Sequence, residues 1–205
     1  MVVKHSVHTR GGVAGHLFRR MIHITMCFYP WLYYQGAERW LPVSIHPPAL
    51  LWCLLALNII IEIIRLSAGL TLPGHRAYER TQICSLAWGL TGICLVFLFS
   101  PGGYPQGVQY AAPIVWCLAL CDPLMGEMRA RSVSMLVSSL AGGVLALCLW
   151  GLACAWYGTP WPLMLFMPIV TVLAERPLLS WIDDNGTLTL IPLLVILLCH
   201  WLGFL

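Results

Sequence analysis

The residues best suited to chemistry are carboxylates that interrupt apolar runs. Asp122 lies in the segment LALCDPLMG (118–126), close to the end of such a run. A charged side chain inside a membrane segment costs roughly 2.5–3.5 kcal/mol or more and marks a functional site by default. We expect Asp122 to bind a hard cation, because Mg²⁺ takes carboxylate oxygens together with substrate phosphates. Pro123 is predicted to break the helix, and Gly126 to let a ligand approach the backbone; a plain helix break or re-entrant turn is the alternative.

A second acidic group lies nearer the C-terminus. Glu175 ends an apolar run, and Asp183, Asp184 and Asn185 follow within eleven residues. The sequence predicts that Asp122, Glu175, Asp183 and Asp184 ligate a divalent cation. A solvated acidic loop is the competing interpretation.

Basic residues near the N-terminus could hold phosphate. Arg20 and His23 are three residues apart, so a helix places them on one face. A guanidinium group suits phosphate oxygens, and an imidazole can accept a proton. Arginines that anchor the helix among lipid headgroups are the alternative.

A second basic group follows Asp122. Arg129, Arg131 and Ser132 could also contact phosphate, although arginines are common in short cytoplasmic loops. The full predicted nucleotide- and phosphate-binding set is Arg20, Gly126, Arg129, Arg131, Ser132 and Asn185.

By contrast, Glu62 and Arg65, three residues apart, are predicted to form a structural ion pair at the end of a span.

The elements that carry these residues are predicted from composition. The chain has 205 residues, of which 60% are hydrophobic and only 9% charged. A soluble domain carries about 25% charged residues. This composition excludes a cytosolic enzyme, a disordered protein and a nucleic-acid binder with a basic face. We predict an all-α polytopic membrane helix bundle: one integral membrane domain over residues 1–205, with residues 1–16 as a cytoplasmic N-terminal arm and no cleavable signal peptide.

Apolar runs separated by Gly, Pro and charged residues predict about seven transmembrane helices. Their approximate bounds are 17–34, 49–66, 82–100, 107–125, 132–157, 161–179 and 187–205. The nine cysteines lie almost wholly inside these runs and form no CxxC pair, so we interpret them as small apolar residues.

Charge distribution predicts the orientation. With seven spans and a cytoplasmic N-terminus, ten of the eleven Lys and Arg residues fall on the inner side, and only Arg39 falls outside. Seven of the eight carboxylates fall on the same side, which the positive-inside rule does not explain. We therefore expect a multi-pass protein of the cell (inner) membrane with its active face in the cytoplasm. A transporter fits less well, because the ionisable groups gather at one rim; a functional His200 would reopen that interpretation.

Phosphoryl chemistry on a lipid combines these features. Carboxylates would hold Mg²⁺, arginines would neutralise a polyphosphate, and a carboxylate or histidine would accept the proton of an alcohol. The chain has neither a GxxxxGK[ST] loop nor a kinase glycine-rich loop, so a nucleotide would need a different site.

The order of these motifs resembles the polyprenol kinase family. The resemblance rests on R-R-x-x-H (19–23), E-x-x-R (62–65), A-L-x-D-x-x-x-G (119–126), and Glu175 followed by D-N (184–185) and Pro192. That family includes dolichol kinase, phytol kinase and the CTP-dependent diacylglycerol kinase, and is related to phosphatidate cytidylyltransferases. The loop after Asp122 is shorter than the family's, and Arg131-Ser132 stands where a Lys-Ser pair is usual.

The resemblance implies a CTP-dependent lipid-alcohol kinase that uses Mg²⁺ or another divalent cation. Its substrate would be a membrane-embedded polyprenol, a phytol-type alcohol or diacylglycerol. Asp122, Asp184 and His23 would be the catalytic residues. The alternatives are CDP-lipid synthesis like that of a phosphatidate cytidylyltransferase, and a non-catalytic membrane paralogue. The expected partners are the lipid and the nucleotide, not nucleic acid, with a homodimer left open.

Overall fold

A computed structural model describes residues 10–40, 42, 46–176, 179 and 181–205, and it contains no strand within them. Residues 1–9 of the predicted cytoplasmic arm, including Lys4, lie outside the described residues. The α-helices are α1 (Gly12–Met26), α2 (Tyr29–Trp31), α3 (Ala37–Trp40), α4 (Pro47–Ser67), α5 (Ser85–Phe99), α6 (Gly103–Gln106), α7 (Val108–Ala130), α8 (Met135–Tyr157), α9 (Trp161–Ala174) and α10 (Asp184–Trp201). A π-helical turn (Leu32–Gly36) joins α2 to α3, and a 3₁₀ turn (Ala77–Arg80) lies between α4 and α5.

Four helices are long and apolar enough to cross a membrane: α4, α7, α8 and α10. They indicate a helical membrane protein. The other three predicted spans coincide with shorter segments. Predicted span one covers α1 and its broken continuation, span three covers α5, and span six covers α9. The predicted end of span six includes residues 177–178, which lie outside the described part of the chain.

The bundle is built around α7. Residues 110–119 of this helix are all buried. Helices α1, α8 and α10 pack against it, α9 packs on α8 and α10, and α5 packs on α10. Helix α4 lies at the edge on α5, and its other faces expose isoleucine and leucine side chains such as Ile60, Ile61 and Ile64. Such apolar faces are the surfaces that lipid would cover.

The predicted break at Pro123 does not occur. Helix α7 continues through Pro123 to Ala130, and so ends later than the sequence suggested. Proline removes one hydrogen bond to the preceding turn, a loss that neighbouring groups can compensate in packed membrane helices. Here His23 of α1 donates from Nδ1 to the Leu118 carbonyl at 3.4 Å, next to the carbonyl of Ala119 that Pro123 leaves without its helical partner. As a result, Asp122 projects from a continuous helix.

The connection from α4 to α5 is held by Glu62 and Arg65, which form an ion pair. Arg65 Nε and Nη2 donate to the two Glu62 carboxylate oxygens, each at 2.7 Å. The remaining N–H groups of Arg65 donate to the carbonyls of Leu70, Glu79 and Gln82 at 2.6–2.9 Å. This arginine therefore fixes a whole loop, and that loop carries Arg76, Tyr78 and Glu79 to one end of the bundle.

Candidate functional site

A charged cavity of about 410 Å³ opens at one end of the bundle, where α1, α7, α10 and the α4–α5 loop meet. We call it the charged cavity. Its lining residues are His16, Arg19, Arg20, Arg76, Ala77, Tyr78, Asp122, Gly126, Arg129 and Asp184. Four arginines and two aspartates from separate segments thus converge on one space.

Asp122 lies deep in this cavity and is only 4% exposed. Its Oδ2 is 3.9 Å from Arg20 Nη1 and 3.7 Å from His23 Nε2. Both distances exceed a hydrogen bond. The carboxylate is therefore surrounded by positive or polar groups that leave its oxygens available, as ligand binding requires.

The tautomer of His23 follows from its contact with α7. The Leu118 carbonyl can only accept a hydrogen bond, so Nδ1 of His23 carries the proton. The lone pair of the neutral ring is then on Nε2, which faces Asp122. His23 is 2% exposed and so is a buried proton acceptor beside a buried carboxylate.

Arg20 is held by a carboxylate behind the cavity wall. Its Nε donates to Glu127 Oε1 at 2.9 Å, and His16 Nε2 lies 2.6 Å from the same oxygen. A Cβ on Gly126 would lie 3.3 Å from Arg20 Nη2. A side chain at this position would crowd the guanidinium, so Gly126 leaves room for Arg20 as well as for a ligand.

Arg19 differs from Arg20 because part of its guanidinium is unused. Its Nη1 is 3.8 Å from Glu79 Oε1, whereas its Nη2 is buried without a hydrogen-bond partner. Glu79 itself accepts from the backbone N–H of Arg76 at 2.6 Å and from that of Ser85 at 3.0 Å. Burial alone would raise the pKa of Glu79, but these hydrogen bonds and the nearby Arg19 lower it below its ordinary value. A buried cation with a free donor indicates that a polar ligand completes the site.

A second cavity of about 670 Å³ adjoins the first and shares Arg76, Tyr78, Arg129 and Asp184 with it. Glu175 and Asp183 also line it. Arg129 Nη2 donates to Glu175 Oε1 at 2.5 Å. Burial together with the neighbouring Asp184 raises the pKa of Asp183 to about 7.

The predicted metal ligands are divided between the two cavities. Among the described residues, no group of three or more His, Cys, Asp or Glu side chains lies close enough to hold a metal ion by itself. Asp122 and Asp184 nevertheless line the same cavity, and Asp183 Oδ2 is buried without a partner. Mg²⁺ in phosphate-transfer sites is held by one or two carboxylates plus phosphate oxygens. The donor set fits a cation that arrives with a phosphate ligand, with Asp122 and Asp184 as the carboxylates.

The numbers of acidic and basic groups also favour a ligand that combines a phosphate with a cation. The carboxylates in or directly behind the two cavities outnumber the four arginines: they are Glu79, Asp122, Glu127, Glu175, Asp183 and Asp184. A bare polyphosphate would meet more negative than positive groups, and a bare cation would meet four guanidinium groups. A phosphate–cation complex satisfies both sets at once.

Two predicted residues are not brought into this site. Arg131 and Ser132 are exposed beyond the end of α7, and Ser132 has a φ of 63°. They line neither the charged cavity nor its neighbour. The expectation that they bind phosphate therefore has no geometric support. Asn185 lies at the base of the site, where its Nδ2 donates to the Ser85 carbonyl at 2.9 Å and its buried Oδ1 has no partner.

Two residues of the α4–α5 loop line the site although the sequence did not predict them there. Arg76 and Tyr78 line both cavities, and Arg76 Nη1 donates to the Tyr78 hydroxyl at 2.7 Å. The available signal was the polar run HRAYER (75–80) on the same side as the other charges. That signal does not separate a loop that folds over the site from one that projects into water.

Comparisons with known proteins add no assignment to this geometry. No protein-family model matches the chain, and no curated protein and no solved structure is significantly similar to it. The geometry and chemistry of the site are therefore the basis for its function.

Proposed function

We propose that this protein transfers a phosphoryl group from a nucleoside triphosphate, CTP in the first instance, to the hydroxyl group of a membrane lipid. The observation that supports this best is the charged cavity, in which four arginines surround the buried Asp122 and the half-buried Asp184 at one end of an apolar bundle. Polyphosphate recognition explains the arginines, and a divalent cation with the phosphates explains Asp122 and Asp184. The motif resemblance to polyprenol kinases leads to the same activity.

In this mechanism the side chains position the two substrates and neutralise the negative charge of the phosphates. Arg19, Arg20 and Arg76 would bind the phosphate oxygens, and Mg²⁺ held by Asp122 and Asp184 would supply further charge neutralisation. The lipid oxygen forms a bond to the terminal phosphorus as the bond from that phosphorus to the nucleoside diphosphate breaks. The hydroxyl proton passes to His23 Nε2, whose lone pair faces the site.

The proposal includes the finer topology. All seven predicted spans would cross the cell membrane, with α1 and its continuation, α5 and α9 as the additional three. The N-terminus and the charged cavity would face the cytoplasm, where nucleotides and Mg²⁺ are available. The positive-inside pattern of the sequence supports this orientation.

The test is a transfer assay with the purified full-length chain in lipid nanodiscs. CTP or ATP labelled at the terminal phosphate is supplied with Mg²⁺ and either farnesol or dioleoylglycerol, and the lipid product is identified by mass. We expect a lipid monophosphate. Transfer should fall by about 100-fold or more in His23→Gln, since general base catalysis contributes that much. It should also fall strongly in Asp122→Asn, because this variant loses a carboxylate that would hold Mg²⁺. Glu38→Gln, an exposed carboxylate remote from the cavity, should retain wild-type activity.

Three results would count against the proposal. The first is folded protein that forms no lipid phosphate with either nucleotide and either lipid. The second is a product that carries CMP, which would identify a cytidylyltransferase. The third is an Asp122→Asn variant as active as wild type, which would leave the buried aspartate with a structural role only.

A further inference from the structure

Next to the charged cavity lies a third cavity of about 430 Å³, between α1, the turn at residues 72–75 and the start of α5. We call it the side cavity. Its lining residues are Phe18, Arg19, Ile22, His23, Met26, Leu72, Pro73, Gly74, His75, Ser85, Leu86 and Asn185. Arg19 lines both cavities, and His23 of the side cavity lies 3.7 Å from Asp122 of the charged one. The two spaces therefore meet at the residues proposed to carry the chemistry.

The side cavity changes character from surface to interior. Phe18, Leu72 and Leu86 are 56%, 51% and 44% exposed, so the cavity reaches the outer surface of the bundle through apolar side chains. His23 and Asn185, by contrast, are 2% and 1% exposed. An apolar mouth with a buried polar base is the shape that suits an amphiphile inserted with its polar end inward.

The polar base has unused hydrogen-bonding capacity. Within the described part of the chain, six buried side-chain N or O atoms have no partner, and three of these belong to residues that line the side cavity: Arg19 Nη2, His75 Nδ1 and Asn185 Oδ1. Burying a polar group without a partner costs free energy, so such atoms indicate a missing ligand. The arginine is a donor, the amide oxygen is an acceptor, and the imidazole can serve as either.

One hydroxyl group fits this complement, because it donates one hydrogen bond and accepts others. A diacylglycerol fits less well, because it would bring two ester carbonyls next to its hydroxyl into a space with only two unpartnered nitrogen atoms among the described residues. We propose that the side cavity binds the hydroxyl end of a single-chain lipid alcohol and presents that hydroxyl to His23 and the charged cavity. This inference rests on the proposed function for its role in transfer, but not for binding itself.

Photolabelling of the wild-type chain tests the location directly. Full-length protein in phosphatidylcholine nanodiscs is irradiated with a diazirine analogue of farnesol, and labelled residues are mapped by mass spectrometry. We expect saturable labelling within residues 18–26 and 72–86. Excess farnesol should remove it more effectively than excess dioleoylglycerol. Labelling confined to lipid-facing residues elsewhere, labelling that farnesol does not compete, or better competition by dioleoylglycerol would overturn the inference.

A matched pair of variants adds a kinetic readout. Leu72→Trp would narrow the mouth of the side cavity, whereas Leu70→Trp alters a similarly exposed leucine of the same loop outside the cavity. The first should raise KM for farnesol about 10-fold or more without changing KM for the nucleotide, and the second should change neither. An unchanged KM for farnesol in Leu72→Trp overturns the side cavity as the site.

The failures of the two proposals can be distinguished. Specific photolabelling of the side cavity without any phosphoryl transfer would refute the kinase and leave the binding site standing. Phosphoryl transfer to farnesol with labelling elsewhere would support the kinase and refute the side cavity as the binding site.

Discussion

At the scale of single residues, buried polar atoms in this protein fall into two kinds. All five N–H donors of Arg65 are directed to a carboxylate or to carbonyl groups, so this residue is fully occupied by structural contacts. Arg19 Nη2, Asp183 Oδ2 and Asn185 Oδ1 are buried without partners at the charged cavity or beside it. Unpartnered buried polar atoms are rare in stable folds, so these three are positions where a polar ligand could complete the hydrogen bonding.

The fully hydrogen-bonded Arg65 gives a prediction about stability. Arg65→Lys keeps the charge but has three donors instead of five and lacks the planar fork. We expect it to lower the free energy of unfolding by about 1–3 kcal/mol, since each lost hydrogen bond costs about 0.5–1.5 kcal/mol. Thermal unfolding in detergent measures this effect. The exposed Arg80→Lys serves as the matched control and should leave Tm unchanged; equal Tm values for the two variants would refute the structural role of Arg65.

His75 gives a prediction on pH. It is 6% exposed, and burial lowers its pKa below the ordinary value of 6.5. Below pH 6.5 the unfolded chain therefore binds more protons at this position than the folded chain does, so stability is lost as pH falls. Relative to wild type, His75→Gln should show a smaller drop in Tm between pH 7 and pH 5. His200→Gln, at the far end of α10, should follow the wild-type curve, and identical pH profiles for all three proteins would contradict the assignment.

At the scale of elements, the contact between α5 and α10 positions Asp184 and Asn185. Two glycines of α5 lie along this contact. A Cβ on Gly92 would lie 2.0 Å from Thr189 Oγ1 and 2.7 Å from Thr189 Cβ, which requires the helices to separate. A Cβ on Gly89 would make only ordinary contacts, the nearest at 3.7 Å.

This pair gives a matched test of helix packing. Gly92→Ala should destabilise the protein by about 1–3 kcal/mol through overpacking, and it should weaken nucleotide binding because α10 carries Asp184. Gly89→Ala should be neutral or slightly stabilising, since alanine is the better helix former. Thermal unfolding and nucleotide titration of both variants measure this. A Gly89→Ala variant as unstable as Gly92→Ala would contradict the close approach of α5 to α10 at Gly92.

At the scale of the whole molecule, most charged residues gather at one end of the bundle, and Glu38 and Arg39 lie at the other. Helix α7 links the two ends, and its 23 residues span about 34 Å. Glu38 follows the π-helical turn, whose Tyr34 ring stacks on Tyr104 just before the start of α7. Ser132 follows the other end of α7. In the proposed topology these two exposed positions lie on opposite sides of the membrane.

Cysteine labelling tests the orientation. Ser132→Cys should react with a membrane-impermeant maleimide in inside-out vesicles only, and Glu38→Cys in right-side-out vesicles only. Labelling is measured as the gain over the wild-type chain, whose nine native cysteines provide the background. The reverse pattern would place the charged cavity outside the cell, where CTP is not supplied, and would refute the proposed function together with the orientation.

The amino-acid sequence was sufficient to predict helices of membrane-spanning length and an Asp122 buried within one of them. Apolar runs of spanning length can be satisfied in lipid only as helices, and a costly Asp122 within such a run marks a site in any arrangement. The sequence did not predict that α7 continues through Pro123, because local propensity at a proline favours a break and the packing around α7 is decided by helices remote in sequence.

The packing of the helices, by contrast, set which residues meet. Arg76 and Tyr78 join the site because Arg65 folds their loop over the rim, whereas Arg131 and Ser132 stay outside because α7 carries them past it. The side cavity, too, is formed by segments remote in sequence. Local sequence patterns show where a charged side chain is costly to bury. The group that offsets this cost lies on another helix, and the spacing of residues along the chain does not show which helices pack together.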